Sequence, residues 1–170
     1  MSNKKFELTT DTKMFCGKKL FRIKALISFG NVSAGDLGGY VEKEENLSHD
    51  GDAWVYGGAE VYGNAKVCGN AEVYGGAEVC GNAKVCGNAE VCGGAEVCGD
   101  ADYLCFKGLG SENRNTTFFK CKDGHIHVSC GCFSGDLNDF ADKVKETHGE
   151  NRYAKEYLAC VEVVKIHFEP

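Results

Sequence analysis

The chain has 170 residues, a formal net charge of −6, 43% apolar residues and 26% charged residues. This apolar content excludes an intrinsically disordered chain, and 23 glycines beside a single proline exclude a Pro/Gly-rich linker. Because the balance is acidic and the sequence contains no basic cluster, we do not expect direct binding to nucleic acid.

Residues 1–50 are predicted to form an N-terminal β cap and a first irregular coil. Two lysines near the start precede no apolar stretch, and no later run reaches the roughly 18 apolar residues of a membrane span. We therefore expect a cytoplasmic protein with no membrane partner. Its eleven cysteines, an odd number without a signal peptide, predict reduced thiols rather than a disulfide framework.

A strand is expected within this cap, because apolar and polar residues alternate from residue 21 to residue 27. The residues on its buried face are Phe21, Ile23, Ala25 and Ile27. Residues 5 to 9 are expected to pair with this strand.

Residues 51–104 are an uninterrupted array of nine hexapeptides, which begins with GDAWVY and ends with GDADYL. A six-residue unit excludes a helix, because its valines would spread around the helix axis. On a strand, Ala59 and Val61 share the inner face while Glu60 and Tyr62 point outward. Gly-Asn or Gly-Gly then lies at each corner, where residues that tolerate positive φ are needed.

The true repeat is longer than one hexapeptide, since residues 69–86 recur almost unchanged as residues 87–104. An eighteen-residue repeat gives three six-residue sides per coil. The sequence therefore predicts a mainly β fold, a three-sided parallel prism of about three coils with backbone pairing between coils.

The pattern Val-x-Gly-Asn-Ala-x resembles the hexapeptide repeat of left-handed parallel β-helices. Together with residues 20–48, it resembles a group of uncharacterised phage and bacterial GNAxVxG-repeat proteins that are described as polymer-forming. The resemblance implies left-handed coils and an origin in a mobile element. It implies no established activity.

Residues 105–170 are predicted to form a C-terminal α+β module with a hairpin and two helices. The hairpin joins residues 116–121 and 125–130 across the turn Lys122-Asp123-Gly124. An apolar stripe predicts the first helix, with Ser134 or Asp136 at its start and Gly149 at its end. A second helix is expected to begin near Asn151. Unpaired edges at the two ends of a coil stack need such flanking caps.

Two columns of outward residues are candidate partner-binding surfaces. One column contains Glu60, Glu78 and Glu96, and the other contains Trp54, Glu72 and Glu90. A third column is expected to contain Lys66, Lys84 and Asp102. The aligned glutamates are either a solvated face or a docking site for a basic protein partner, including a host protein that itself binds nucleic acid.

A second candidate surface is the outward position that precedes each corner. It holds Tyr56, Tyr62 and Tyr74 and, in five other units, a cysteine, namely Cys68, Cys80, Cys86, Cys92 and Cys98. Exposed aromatic side chains are typical of interfaces, so this seam predicts a homo-oligomer, a dimer or a trimer.

We expect no metal and no cofactor. The alternative metal site consists of His125, His127 and Cys132, whose ligand types suit zinc although their spacing does not. Cys121 and Cys130 lie close to them in sequence. The other interpretation is a hairpin with one apolar face.

The sequence favours a non-enzymatic protein-binding module that binds through its acidic prism and C-terminal module. The resemblance implies a phage or prophage accessory protein that binds or inhibits a host protein, with host defence proteins as one class of target. One alternative is a structural, self-assembling scaffold. A second is an acyltransferase-like enzyme, which would require a histidine base, and residues 51–104 contain no histidine.

Overall fold

The computed structural model of the chain describes residues 4–169, so the predicted domain ends at residues 1 and 170 lie outside the described residues. The N-terminal hairpin consists of β1 (Phe6–Phe15) and β2 (Lys18–Ala25). Strand β3 (Leu37–Val41) pairs antiparallel with β2. The predicted pairing of the N-terminal segment is confirmed, with Phe6 opposite Ala25. Ile27, predicted on the same strand, lies beyond its end and is exposed.

Eight strands of two residues each follow in the repeat. They are β4 (Trp54–Val55), β5 (Glu60–Val61), β6 (Lys66–Val67), β7 (Glu72–Val73), β8 (Glu78–Val79), β9 (Lys84–Val85), β10 (Glu90–Val91) and β11 (Glu96–Val97).

These strands form three parallel sheets, β3-β5-β8-β11, β4-β7-β10 and β6-β9. Residues 18 positions apart are paired, as in Glu60 with Glu78 and Lys66 with Lys84. The predicted eighteen-residue repeat is thereby confirmed, and the chain is a mainly β protein built around a β-solenoid of about three turns.

The solenoid core is built on the alanine and the valine of each of the first eight units, which are buried in one continuous cluster. The corners require glycine, as Gly69 illustrates with a φ of 70°. A Cβ atom there would lie 2.9 Å from the carbonyl oxygen of Gly87 in the next coil. Close stacking of coils and the positive φ therefore both favour glycine at this position.

The ninth hexapeptide does not form a coil side, which corrects the prediction of nine equivalent units. Asp100–Asp102 form a short 3-10 helix, and the Asp102 carboxylate accepts from the backbone N–H groups of Cys98 and Gly99. Tyr103 stands where other units have valine, and its ring is too large for that inward column. Asp102 is consequently not the third member of the Lys66 and Lys84 column.

The C-terminal module contains a four-stranded antiparallel sheet in chain order. Its strands are β12 (Tyr103–Leu109), β13 (Arg114–Lys120), β14 (Ile126–Cys130) and β15 (Phe133–Asp136). Helices α1 (Leu137–His148) and α2 (Arg152–Phe168) follow. The predicted hairpin is confirmed as β13 and β14, but two further strands extend it to a sheet.

The helix boundaries match the predicted signals. The Asp136 carboxylate accepts from the N–H groups of Asn138 and Asp139 at the start of α1, and Gly149 ends this helix with a φ of 58°. Asn151 caps α2 in the same way. Within residues 4–169, no helix is long and apolar enough to cross a membrane.

The C-terminal sheet lies between the last coil and the two helices. Phe119 and Cys121 belong to the solenoid core, whereas Phe118 and Val128 pack in a second core with α1 and α2. Adjacent residues of β13 thus point to opposite faces, as strand geometry requires. The sheet therefore closes the C-terminal end of the solenoid.

Candidate functional site

The first predicted column, Glu60, Glu78 and Glu96, runs along the sheet that contains β5, β8 and β11. Glu60 is 7% exposed and forms an ion pair with Lys13 of the N-terminal hairpin. Glu78 is 4% exposed and forms an ion pair with Lys122 of the C-terminal turn. The prediction of a solvated acidic face is wrong for these two residues, because both flanks fold over it.

The second predicted column, Trp54, Glu72 and Glu90, is also partly covered. Trp54 is 1% exposed and packs edge-on against Phe6 and Phe29, so its predicted outward exposure is wrong. Glu72 and Glu90 are half-buried. The involvement of the six residues in partner binding stays a prediction, with little free surface at Trp54, Glu60 and Glu78.

The third side of the prism is the open one. Lys66 and Lys84 are exposed on paired strands, and Asn64 donates to the side-chain oxygen of Asn82 at the adjoining corner (3.2 Å). The freely displayed charge of the prism is therefore positive on this side.

The three tyrosines of the predicted seam lie at two different corners, because Tyr56 and Tyr74 are 18 residues apart and Tyr62 is not in their column. The hydroxyl of Tyr56 donates to Glu72 and that of Tyr62 donates to Glu78, both at 3.2 Å. Burial, followed by the neighbouring Glu72 charge, raises the pKa of Tyr56 to about 12. All three tyrosines are half-buried, and whether they form an oligomer interface stays a prediction.

The sulfur atoms of Cys80 and Cys98 are bonded in the structure, which corrects the prediction of reduced thiols at these two positions. The two residues occupy the same corner in successive coils, and their Cα atoms are 4.4 Å apart. Stacking therefore brings them within the range of a disulfide.

A groove of about 450 Å³ lies in the C-terminal module, between α1 and the end of the sheet. Its floor is apolar and consists of Phe133, Phe140, Val144 and Tyr157. Phe140 contacts both Phe133 and Tyr157, at ring-centroid distances of 5.2 and 5.6 Å. The aromatic floor is thus fixed by mutual packing.

The rim of this groove carries two exposed cations, Arg114 and Lys143, and one exposed carboxylate, Glu112. Lys143 forms an ion pair with Glu146 at 2.8 Å, whereas Arg114 forms no ion pair within residues 4–169. Arg114 lies across the turn at Gly131, where a Cβ atom would be 1.9 Å from a guanidinium nitrogen. The sequence analysis did not identify this groove, because its aromatic residues have the same spacing as ordinary core residues.

The predicted metal ligands are separated by the structure. His125 and His127 lie together, but the third member of their cluster is Cys121, with one ligand atom from each residue within 4.8 Å of the others. Cys132 is exposed and lines the groove instead. Burial, followed by the Asp123 charge, raises the pKa of the Cys121 thiol to about 11, and burial lowers the pKa of His127.

No protein-family model matches this chain. A comparison with curated proteins finds no significant match either.

Proposed function

We propose that this chain is a non-enzymatic protein-binding module whose C-terminal groove receives an apolar side chain flanked by acidic residues of a partner protein. The observation that carries this proposal is the apolar floor of Phe133 and Tyr157 beneath a rim that holds Arg114, the Lys143–Glu146 ion pair and Glu112. An apolar pocket with few polar groups at its edge is typical of a site that anchors one side chain.

The charge of the rim determines the kind of partner. The Arg114 guanidinium forms no ion pair within residues 4–169, and it suits a carboxylate because its donors match the carboxylate oxygens in pairs. The predicted basic partner is less well supported, since Glu60 and Glu78 are already neutralised by lysines of this chain. The proposed partner segment is therefore acidic.

The solenoid would act as a rigid support for the module. Thr117 and Ser129 of the C-terminal sheet contact Glu90 of the last coil, with the Ser129 hydroxyl 3.1 Å from its carboxylate. A groove held in place before binding loses little conformational entropy when a partner docks.

This proposal is tested by three titrations of the full-length chain, each with a different peptide, in which the NMR shifts of the backbone amides are recorded. The probes are a short peptide with leucine flanked by glutamates, one with leucine flanked by lysines, and one with serine flanked by glutamates. We expect the first peptide alone to shift the amides of residues 130–133 and 140–148. Equal shifts with all three peptides, or shifts elsewhere only, would argue against the groove.

A blocked variant supplies the control. Thr147 is exposed at the groove, so Thr147→Trp fills it without removing a core residue. This variant should abolish binding of the leucine peptide, while Thr10→Trp, at an exposed position of the N-terminal hairpin, should retain it. Binding that survives Thr147→Trp would place the partner surface elsewhere.

The finer parts of the interpretation stay proposals. Left-handed coils and membership of the hexapeptide-repeat group are supported by the Val-x-Gly-Asn-Ala-x pattern alone. The phage origin, the inhibition of a host protein and the cytoplasmic location rest on the same resemblance and on the sequence.

Association into a dimer or trimer is tested by light scattering of Tyr56→Ser and Tyr74→Ser variants, which should then become monomeric.

A further inference from the structure

We propose that Cys121, His125 and His127 bind one zinc ion that braces the β13–β14 hairpin where it meets the end of the solenoid. Each residue contributes one ligand atom, and these atoms lie within 4.8 Å of one another. A thiolate with two imidazoles is a donor set that zinc prefers.

Hairpin geometry explains how three residues with unusual spacing converge. Cys121 and His125 flank the three-residue turn, and the Cys121 N–H donates to the His125 carbonyl oxygen at 2.9 Å. His127 lies two residues further along β14, on the same face as His125. A Cys-x-x-x-His-x-His arrangement therefore presents all its ligands on one face of the hairpin.

Both histidine rings are held by hydrogen bonds of the kind that metal ligands make. The Asp123 carboxylate contacts Nδ1 of His125, and the Ser134 hydroxyl lies 2.8 Å from Nε2 of His127. The Asp123 carboxylate accepts from Nδ1 of His125 and so leaves the lone pair of Nε2 for the metal, whereas the Ser134 hydroxyl accepts from Nε2 of His127 when Nδ1 binds the metal.

Metal binding requires a modest local closure. Zinc bonds of about 2.3 Å to sulfur and about 2.0 Å to nitrogen place tetrahedral ligands about 3.5 Å apart. The turn at residues 122–124 is exposed and contains Gly124 with a φ of 87°, so it can supply this movement. The Cys121 thiol releases its proton to solvent as the sulfur–zinc bond forms, and a water molecule takes the fourth position.

The location gives the ion a structural role. Cys121 is buried in the solenoid core and forms an antiparallel bridge with Ala95 of the last coil. His127 belongs to β14 of the sheet that covers this end, and His125 immediately precedes this strand. A zinc ion would thus hold the hairpin in the shape that brings Cys121 to Ala95, and it would stabilise the folded chain by an amount that grows with the logarithm of the free zinc concentration.

The test measures zinc content, cobalt spectra and thermal stability of the full-length chain after chelator treatment and reloading. We expect one zinc per chain, a thiolate-to-cobalt charge-transfer band with Co²⁺, and a higher unfolding temperature with zinc. His125 is exposed, so His125→Gln should fold normally and yet weaken zinc binding more than about 100-fold, beyond the effect typical of an outer-sphere partner. Asp123→Asn should weaken it about 10-fold.

Matched variants separate this site from other thiols and imidazoles. Cys132→Ser and His148→Gln change residues outside the cluster and should retain full binding, whereas Cys121→Ser should lose the cobalt charge-transfer band. Less than stoichiometric zinc in the unaltered chain, or a cobalt band that disappears with Cys132→Ser or Cys68→Ser but persists with Cys121→Ser, would overturn the proposal.

Discussion

Lys5 shows how a single residue completes the N-terminal end of the solenoid. The first coil presents backbone carbonyl groups at this end, and the Lys5 ammonium donates to the carbonyl oxygens of Gly51 (3.1 Å) and Ala53 (2.8 Å). On the next side of the coil, the side-chain amide of Asn46 likewise donates to the carbonyl oxygen of Ala65, at 2.8 Å. Side-chain donors therefore replace the strand that a further coil would supply.

We predict that Lys5→Met lowers the free energy of unfolding by about 1–3 kcal/mol, because two carbonyl groups lose their donor in a buried position. Methionine retains most of the side-chain volume, so the loss reports the hydrogen bonds rather than packing. Urea unfolding at pH 7 under reducing conditions measures it. A variant as stable as the unaltered chain would contradict this role.

The same residue predicts a pH dependence. Burial lowers the pKa of Lys5 to about 8, well below the value of about 10.4 in an unfolded chain. Between these values the unfolded chain binds more protons than the folded chain, so the contribution of Lys5 to stability increases with pH across this window.

The stability difference between the unaltered chain and Lys5→Met should therefore widen from pH 8 to pH 10, by at most about 3 kcal/mol. Taking the difference between the two proteins removes the contributions of tyrosines and cysteines that titrate in both. Denaturation curves at several pH values measure it, and a difference that is constant with pH would disagree with a buried, charged Lys5.

At the scale of an element, the Lys84 side of the prism is closed at its C-terminal end by one acceptor and one donor. The last strands present N–H groups, and the Asp100 carboxylate accepts from the Lys84 N–H at 2.7 Å. The Tyr103 hydroxyl donates to the Lys84 carbonyl oxygen at 2.7 Å. The irregular ninth unit is thus the local cap of the Lys66 and Lys84 side.

We predict that Asp100→Ala costs about 1 kcal/mol of stability, because the Lys84 N–H then bonds only to solvent. The amide hydrogen of Lys84 should exchange faster in this variant, as measured by NMR. Asp100→Asn keeps an acceptor oxygen and should retain most of the protection. Unchanged exchange at Lys84 in Asp100→Ala would show that the cap is dispensable.

Much of the solenoid could be predicted from the sequence, but the burial of some of its outward residues could not. The inward alanines and valines follow from the six-residue period, and the coil stacking follows from the eighteen-residue repeat. The burial of Glu60 and Glu78 does not, because it depends on Lys13 and Lys122, which are 47 and 44 residues away in the sequence. Local periodicity indicates which side chains point outward but not which flank folds over them.

The candidate sites illustrate the same limit. His125 and His127 could be paired from strand alternation, and the hairpin register would have favoured Cys121 over Cys132 because Cys121 lies opposite His125. The groove required the packing of α1 against β15, which brings Phe133 to Phe140. No spacing rule in the sequence distinguishes these rings from other core residues.

At the scale of the whole molecule, β13 joins two cores through neighbouring phenylalanines. Phe119 is buried in the solenoid core and Phe118 in the core of the two helices. The chain therefore has two packed regions that share one strand.

We predict that Phe119→Ala and Phe118→Ala each cost about 3–5 kcal/mol but open different regions. Hydrogen exchange should increase first in β10 and β11 for Phe119→Ala, and first in α1 and α2 for Phe118→Ala. The two variants act as controls for each other, since both remove one buried ring from β13. The same exchange pattern in both would mean that the two cores unfold as one unit.

Isothermal titration calorimetry with two peptides of opposite charge tests most directly whether the groove recognises an acidic, apolar segment. It compares the unaltered chain with a variant in which the positive charges of the groove are reversed. The unaltered chain should bind the glutamate-flanked leucine peptide at least about tenfold more tightly than the lysine-flanked peptide, a difference of about 1.4 kcal/mol. The double variant Arg114→Glu and Lys143→Glu should reverse this preference. A preference that is unchanged by the double variant, or no preference in the unaltered chain, would contradict the proposed recognition of an acidic, apolar partner segment.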